Sequence, residues 1–578
     1  MNKLKRFILV LFFCFLVVSS TFQLFPDDQK PETLIQPDRD VALSRYNQIA
    51  EISHCYFNPF FQLPVVNIRG TAPELPNFLN LKYQKRFTRA LLEYAGHFVY
   101  ATSSYWIRQD VMKEDWEYHF TWKDQKKRIF ELDGFRFDSN TFEFNWTHSL
   151  AGSMYYNYAR DNHLNKTQSF LMTFGASFLW ESLVEFKEVI SLNDMVTTPI
   201  GGLSIGESFY QLGRFFRSGK PTIFNKAARF LSNPIMALNE FIGGKKYRGE
   251  YSLPDGQMWH DCRLTVGPRF DRVARTSSDS FIQVGFESQL MNIPEYGEPG
   301  AANLKLKDTL FTEIDGGLTL NKRGIYEFNL FAKSVLFGYF SQNIQSTDSS
   351  EALKGSNSSE DYFNRNSGEK EGYSMFIGAA SAFDIVNNSI DRLSEESAAN
   401  NNPAIPDRRD KYTIINLIGP SFDFSLFRKN FQLHFITDAF IDFGLIHSHA
   451  YKDYSELNEV SKTKCTLESY NYYYAFGVTL SSMLQLNYSN LELRGRLKYH
   501  YFNSIEGHDR YQSDIPAGND FNLTDRRLLF KLSLGYRIPG TPLQLAVGLD
   551  QIKRRGQVED FLRKSEERRS YIQLQYIF

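Results

Sequence analysis

Between Asn145 and Glu207 the chain gathers the residue types from which acid–base chemistry is made. Two histidines, His148 and His163, share this stretch with Glu181, Glu185, Glu188, Asp194 and Glu207, and with five glycines. A histidine held beside carboxylates can move protons near neutral pH or help to bind a divalent cation. The candidate catalytic residues are therefore His148, Glu181, Glu185, Asp194 and Glu207. Ser204 joins them because Gly202-Leu-Ser204-Ile-Gly206 matches the G-x-S-x-G elbow of α/β-hydrolases. No H-E-x-x-H or comparable ligand spacing accompanies them, so no metal is assigned and no cofactor is called for.

Each of these residues also has a structural reading. Glu181, Glu185 and Glu188 stand at i, i+4 and i+7 of a helix expected over Ser169–Glu188. Such a stripe either faces water beside Lys187 or points at a partner helix that carries His148 and Asp194. Ser191-Leu-Asn-Asp194 fits a capping box, which would make Asp194 the cap of the next helix. The hydrolase elbow requires a buried strand before it, whereas here a capping box and Pro199 precede it. Gly202 and Gly206 supply a small-xxx-small face for close helix packing, and Glu207 follows as a lone acid on an otherwise apolar helix.

The elements around this block are mainly helical. Apolar residues at helical spacing predict a helix over Tyr83–Arg108, a partial alternation suggests a hairpin over Ile129–Phe144, and a third helical patch runs from Pro221 to Ile242, stopped by Gly243 and Gly244. Upstream, Lys3, Lys5 and Arg6 precede an apolar run from Phe7 to Val18 and small residues at Ser19 and Ser20, the pattern of a secretory signal peptide. The expected organisation is a signal peptide over 1–20, an extended entry segment over 21–80, a mainly helical periplasmic domain over 81–250 and a barrel over 251–578. Cys14 lies within the apolar run, and the remaining Cys55, Cys262 and Cys465 are too few and too scattered for a metal knuckle or a disulfide framework.

Beyond residue 250 the pattern changes to period two. In Leu491–Tyr501, Leu491, Leu493, Leu497, Tyr499 and Tyr501 alternate with Glu492, Arg494, Arg496, Lys498 and His500. One apolar face and one charged face over this length is what a strand between lipid and a polar lumen requires. With aromatics at 16% and a mean hydropathy of -0.38, the composition agrees, because apolar residues must be interleaved with polar ones. About twelve strands are expected, beginning near Trp259, Phe281, Leu310, Ile325, Tyr373, Tyr412, Phe431, Tyr470, Leu491, Arg527, Leu543 and Ser570. The fold class is thus an antiparallel transmembrane β-barrel with an N-terminal α-helical domain. Long polar loops are expected at 451–466, 503–524 and 555–567. Both 341–371 and 385–410 are long as well, which breaks the alternation of short and long connections. In this register Glu287, Glu313, Asp315 and Glu327 face Arg494, Arg496, Lys498, Lys531 and Arg537 across the lumen, so pairing would close it more than line it.

Asn145-x-x-His148-x-x-x-Gly152, Tyr156, Ala159-Arg160, Trp180-Glu181, Glu185, Ser191-x-Asn193-Asp194, Pro199, Gly201-Gly202 and Gly206-Glu207 together resemble the pattern of domain of unknown function 3943, found in exported bacterial envelope proteins. The terminal Phe578 on an alternating last strand resembles the insertion signal of outer-membrane barrels. These resemblances imply an envelope, outer-membrane location, and the expected arrangement puts the helical domain on the periplasmic side or packed into the lumen. A charge-closed lumen beside a separate polar, glycine-jointed helix pair points to a structural or transport-accessory role and not a wide porin, with a membrane-embedded lipid hydrolase as the alternative. The partners expected are outer-membrane lipid, the barrel insertion machinery and a small or lipid ligand. A net charge of -1 gives no reason to expect nucleic acid.

Overall fold

In a computed structural model of the chain, the strands expected from period-two alternation pair antiparallel into a closed barrel. The structure describes residues 85–578 apart from 113–117, 132–133, 138–141, 220–221, 243–258, 274–278, 294–295, 307–310, 323, 347–369, 389–409, 459–465 and 506–520. The expected signal peptide and entry segment, Cys14, Cys55, Cys465 and the stop at Gly243 and Gly244 lie outside the described residues.

The barrel strands are β3 (Trp259–Val273), β4 (Asp279–Met291), β6 (Phe311–Asn321), β7 (Gly324–Ser346), β8 (Lys370–Asn388), β9 (Lys411–Lys429), β10 (Phe431–His447), β11 (Tyr472–Tyr488), β12 (Leu491–Ser504), β13 (Leu523–Arg537), β14 (Leu543–Val558) and β15 (Phe561–Ile577). Each pairs with its neighbour in sequence, β15 returns to β3, and β7 pairs with β8, so these twelve close on themselves. A short strand, β5 (Gly300–Leu306), lies against the C-terminal half of β7, below β6.

Two loop expectations are corrected. β14 and β15 meet in a tight turn at 559–560, so 555–567 is strand and not a long loop. The long connection 347–369 joins strands at the end that carries the C-terminus, beside the short turns at 430, 489–490 and 538–542. Two connections at that end are therefore long, 347–369 and the β5-bearing 292–310, which explains the broken alternation.

The two faces of the wall divide as the register requires. Leu491, Leu493 and Leu497 are exposed on the outside, while Glu492, Lys498 and His500 are buried on the inside. Inside, Arg496 bonds Asp315 and Glu313, Arg494 bonds Glu287, Lys498 bonds Asp384 at 2.8 Å, and Glu327 is held between Arg269 and Arg569. Near the C-terminal end the interior turns apolar, with Phe311, Phe331, Phe340, Phe376, Ile436, Phe440 and Met483 packed around Tyr296.

The helical region comprises α1 (Phe87–Met112), α2 (Trp122–Phe130), α3 (Phe142–Asp161), α4 (Lys166–Leu179) continued by a π-helical turn over Trp180–Val184, α5 (Asp194–Ser218), α6 (Ile223–Ser232) and α7 (Pro234–Ile242). The hairpin expected over 129–144 does not form. Its residues belong to the end of α2, the start of α3 and a two-residue strand, β1 (Phe135–Arg136), which runs parallel to β2 (Ile190–Ser191). A single helix over 221–242 is likewise replaced by α6 and α7, broken at Asn233.

The described helices α1 to α7 and the barrel belong to one compact unit, and among the described residues these helices pack on the outer wall and not in the lumen. Because Asp384, Asn416 and Asp442 point inward to Lys498, Asp442 and Thr479, their strand neighbours Phe383, Ile385, Ile415, Leu417 and Phe443 point outward. It is these outward residues, with Ala332, Leu445 and Tyr474, that bury Phe137, Leu192, Val196 and Ile205 of the helical region. Further along α5, Leu212 and Phe216 pack on Cys262, Leu290 and Ile314 of the outer wall, near Phe578. The lumen-packed arrangement is thereby corrected: α5 runs down the outside of the barrel, from near the start of β11 to the C-terminal residue.

Candidate functional site

α3 and α5 run parallel and touch backbone to backbone. A Cβ added to Gly152 would lie 1.9 Å from the Thr198 carbonyl oxygen, and one on Gly202 would lie 2.7 Å from the carbonyl of Gly152. Gly206 meets the Tyr156 ring in the same way. This close approach draws side chains at matching positions into two buried polar groups, one at the start of the helix pair and one halfway along it.

At the start, His148 Nδ1 lies 3.4 Å from Asp194 Oδ1. Asn193 Nδ2 donates to Asp194 Oδ1 at 3.1 Å and to Asn145 Oδ1 at 2.9 Å, and Tyr474 of the barrel donates to the same Asn145 oxygen at 3.2 Å. Within the expected capping box, Ser191 Oγ accepts the Asp194 N–H at 3.3 Å, and the Ser191 N–H donates to Glu181 Oε2 at 2.9 Å. Asp194 thus starts α5 with its N–H on Ser191 Oγ while its Oδ1 faces His148 and Asn193. His148 is about one-fifth exposed while Asp194 is buried, so the pair opens outward through the imidazole.

The acidic stripe is not a helical stripe, because α4 ends at Leu179 and the π turn redirects the chain. Glu181 is buried on Ser191, Glu185 accepts from Trp180 Nε1 at 2.9 Å, and Glu188 accepts from the Tyr105 hydroxyl. Sequence reasoning passed over the residue that organises this turn. Arg128, fully buried, donates to the carbonyls of Ser182 and Glu185 at 2.9 Å each, and to those of Glu181 and Glu188. A guanidinium satisfies carbonyls that the end of a helix leaves without partners. Its position in the basic run Lys126-Lys127-Arg128 hid it as one more surface charge. With burial and the Glu188 and Asp194 carboxylates close by, Glu185 is pushed up to about 8, so it holds its proton at neutral pH.

Halfway along, Glu207 is not a lone acid. Arg160 donates to both of its oxygens, at 2.7 and 2.9 Å, Tyr156 donates at 2.8 Å and Gln211 at 2.6 Å. Every group in this set is buried, and its geometry is that of a closed structural clamp. Ser204 lies mid-helix with no exposure and shares a 3.1 Å hydrogen bond with Ser381 of the barrel. The strand–turn–helix geometry of a nucleophile elbow is absent at this position, and ten residues of helix set Ser204 about 15 Å from Asp194. The structure thus brings together His148, Asp194, Glu181 and Glu185, and separates them from Ser204 and Glu207.

His163, the second histidine of the stretch, is in the left-handed conformation at the turn between α3 and α4. Among the described residues no group of three or more His, Cys, Asp or Glu is arranged to hold a metal ion.

The family model described as "Domain of unknown function (DUF3943)" matches residues 134–235, which run from just before β1 to the start of α7. No curated protein matches the chain. Among solved structures, similarity extends to the outer membrane protein Omp33 of Acinetobacter baumannii, at 8% identity over 55% of this chain and 99% of that one, with a TM-score of 0.16. It extends also to the translocator domain of the autotransporter NalP from Neisseria meningitidis, at 8% identity, 59% and 96% coverage and a TM-score of 0.17. An anion-selective porin from Comamonas acidovorans matches at 9% identity, 56% and 100% coverage and a TM-score of 0.17. At such scores the likenesses add nothing to the closed strand pairing, which is what defines the barrel.

Proposed function

Starting from a chain that carries the DUF3943 domain on an outer-membrane β-barrel, we propose that it acts at the lipid around the barrel and not by passing solutes through it. The observation that carries this reading is the seating of α5 on the outer wall, with apolar side chains of the surrounding helices left facing away. Leu92, Val99 and Ile107 of α1, Leu183 of the π turn, Leu231 of α6 and Phe241 of α7 are all exposed. In water such a surface is costly, whereas in a bilayer it shares its surroundings with the exposed outward residues of the flanking wall, Leu264 and Val266 of β3 and Val478 and Leu480 of β11. The helical region is then an annex within the bilayer, not a domain hanging on the periplasmic side.

The lumen supports the same conclusion. Ion pairs join its facing walls, and Tyr296 from the 292–299 segment reaches in at the C-terminal end to donate to Asp423 at 3.2 Å. We read the barrel as closed to bulk flow and the role as structural or accessory in the envelope, centred on the His148–Asp194 pair. A planar-bilayer recording of the reconstituted full chain should give no sustained porin-scale conductance, and a steady large conductance would defeat the reading.

The second reading is a hydrolase acting on envelope lipids, favoured by the 3.4 Å contact of His148 with Asp194 and by the protonated Glu185 nearby. A histidine oriented by a carboxylate is the base that such chemistry needs. Loss of lipid-ester cleavage in His148→Gln, with folding retained, would select this reading over a purely structural role.

A further inference from the structure

α2 presents a face that the lipid-side arrangement alone does not explain. Its buried side sends Arg128 into the π turn and Gln125 to the carbonyl of Phe186 at 2.7 Å. At 100° per residue, the remaining arc of about 140° carries Trp122, Lys126, Phe130, Lys123 and Lys127 together. All five are exposed, Trp122 at 81% and Phe130 at 74%, and Phe120 just before the helix is exposed as well. A face of bare lysines suits water, and a face of bare aromatics suits acyl chains. The mixture suits the boundary between them, where aromatic rings sit at headgroup level and lysine stems reach out to phosphate.

The position of α2 along the barrel agrees. Arg128 fixes it to the Glu181–Glu188 turn, which Ser191 joins to Asn193, Asn145 and Tyr474. Tyr474 is the third residue of β11, at the end of the barrel opposite Phe578. In the neighbouring wall the outward leucines give way to tyrosine and then to charge toward that same end, through Leu497, Tyr499 and Tyr501 on β12 and through Leu549, Gln551 and Lys553 on β14. α2 is thus tied, through this chain of hydrogen bonds, to the end of the barrel at which the outward leucines give way to polar residues.

We propose that α2 is an anion-binding headgroup site, in which Lys123, Lys126 and Lys127 engage the phosphates of an anionic lipid in the leaflet away from the C-terminus while Trp122 and Phe130 enter the bilayer boundary. This site rests on the lipid-side reading of the helical region and assigns it a ligand class.

The test uses the full chain in phosphatidylcholine nanodiscs with and without added lipid A, comparing wild type with the triple variants Lys123→Gln/Lys126→Gln/Lys127→Gln and Lys123→Arg/Lys126→Arg/Lys127→Arg. Lipid retained through dilution is read by native mass spectrometry. Each lysine near an anionic surface is worth about fivefold in binding, so the glutamine variant should lose at least about tenfold in lipid A retention while the arginine variant keeps it. Equal retention in wild type and the glutamine variant would overturn the site, and so would equal loss in both variants. A fluorophore at Leu231→Cys, probed with brominated lipid in the same discs, separates this outcome from failure of the lipid-side reading. Quenching there with unchanged lipid A retention rejects the headgroup site alone, and absence of quenching rejects the placement of the helices in lipid.

Discussion

Lys166 Nζ donates to the main-chain carbonyl of Val335 at 2.9 Å, a fully buried ammonium delivered by α4 to the outer wall of the barrel. The receiving carbonyl sits where the β7–β8 register slips between Val335 and Phe337, so the bulge leaves an acceptor for the helix to use. Ser204 meets the wall at the matching irregularity of β8, between Ala380 and Ala382. The two bulges act as docking points. Lys166→Met should weaken attachment of the helices by about 1–3 kcal/mol, the penalty for leaving a buried acceptor without its donor. Proteolysis of the helical region in detergent should begin at lower temperature, with the heat-modifiable mobility of the barrel unchanged.

The α3–α5 contact predicts opposite outcomes for two glycines. Gly152→Ala places a Cβ 1.9 Å from a carbonyl oxygen and should cost about 1–3 kcal/mol or more through forced separation of the helices. Gly175→Ala on α4 meets nothing within 4 Å and should be neutral or stabilising by about 0.4–1 kcal/mol. Thermal unfolding of the two variants side by side checks the contrast.

Glu207 and Arg160 form a pair that cannot be broken from one side. Arg160→Leu leaves a buried carboxylate with its main cation gone and should cost about 3–5 kcal/mol, whereas Arg160→Leu with Glu207→Leu should recover most of that loss. A double variant as unstable as the single one would mean that the clamp does more than hold the helices.

Glu185 makes the turn sensitive to pH. Its folded-state value of about 8 lies above its ordinary 4.5, so the folded chain binds the proton more tightly than the unfolded chain does. The stabilisation is therefore complete below about 4.5 and is lost as pH rises through about 8. Glu185→Gln should flatten this slope and melt higher than wild type on the alkaline side, as followed by Trp180 fluorescence.

Ser204→Ala removes one hydrogen bond to Ser381 and should cost about 1 kcal/mol while leaving any lipid-ester cleavage untouched. Activity lost with Ser204→Ala but kept in His148→Gln would reverse the assignment of the site.

The barrel was legible in the sequence because its signal is periodic. Leu491 to Tyr501 announces two faces by alternation alone, and the same register placed Glu287, Glu313 and Asp315 opposite Arg494 and Arg496, where they pair. The helical region was legible in content but not in direction. Gly202, Gly206 and Asp194 stood out by type, yet nothing in α5 itself says whether its apolar faces meet a lumen or an outer wall. That is decided by the phase of β8 and β10, where Phe383 and Phe443 point outward because Asp384 and Asp442 do not. The acidic stripe misled for a related reason: i, i+4, i+7 spacing assumes an unbroken helix, and the π turn at Trp180 breaks it. Arg128 was invisible because its partners are main-chain carbonyls, which carry no side-chain signature.

The Phe224 ring stacks on Phe578 at 5.6 Å and Phe216 lies edge-on to it at 6.3 Å. Phe578 follows β15, the strand that pairs with β3, so this contact ties α5 and α6 to the seam of the barrel. Leu212 and Phe216 of α5 also pack on Cys262 of β3, so the helices lie across the line where the first and last barrel strands pair and act as a clasp over that closure.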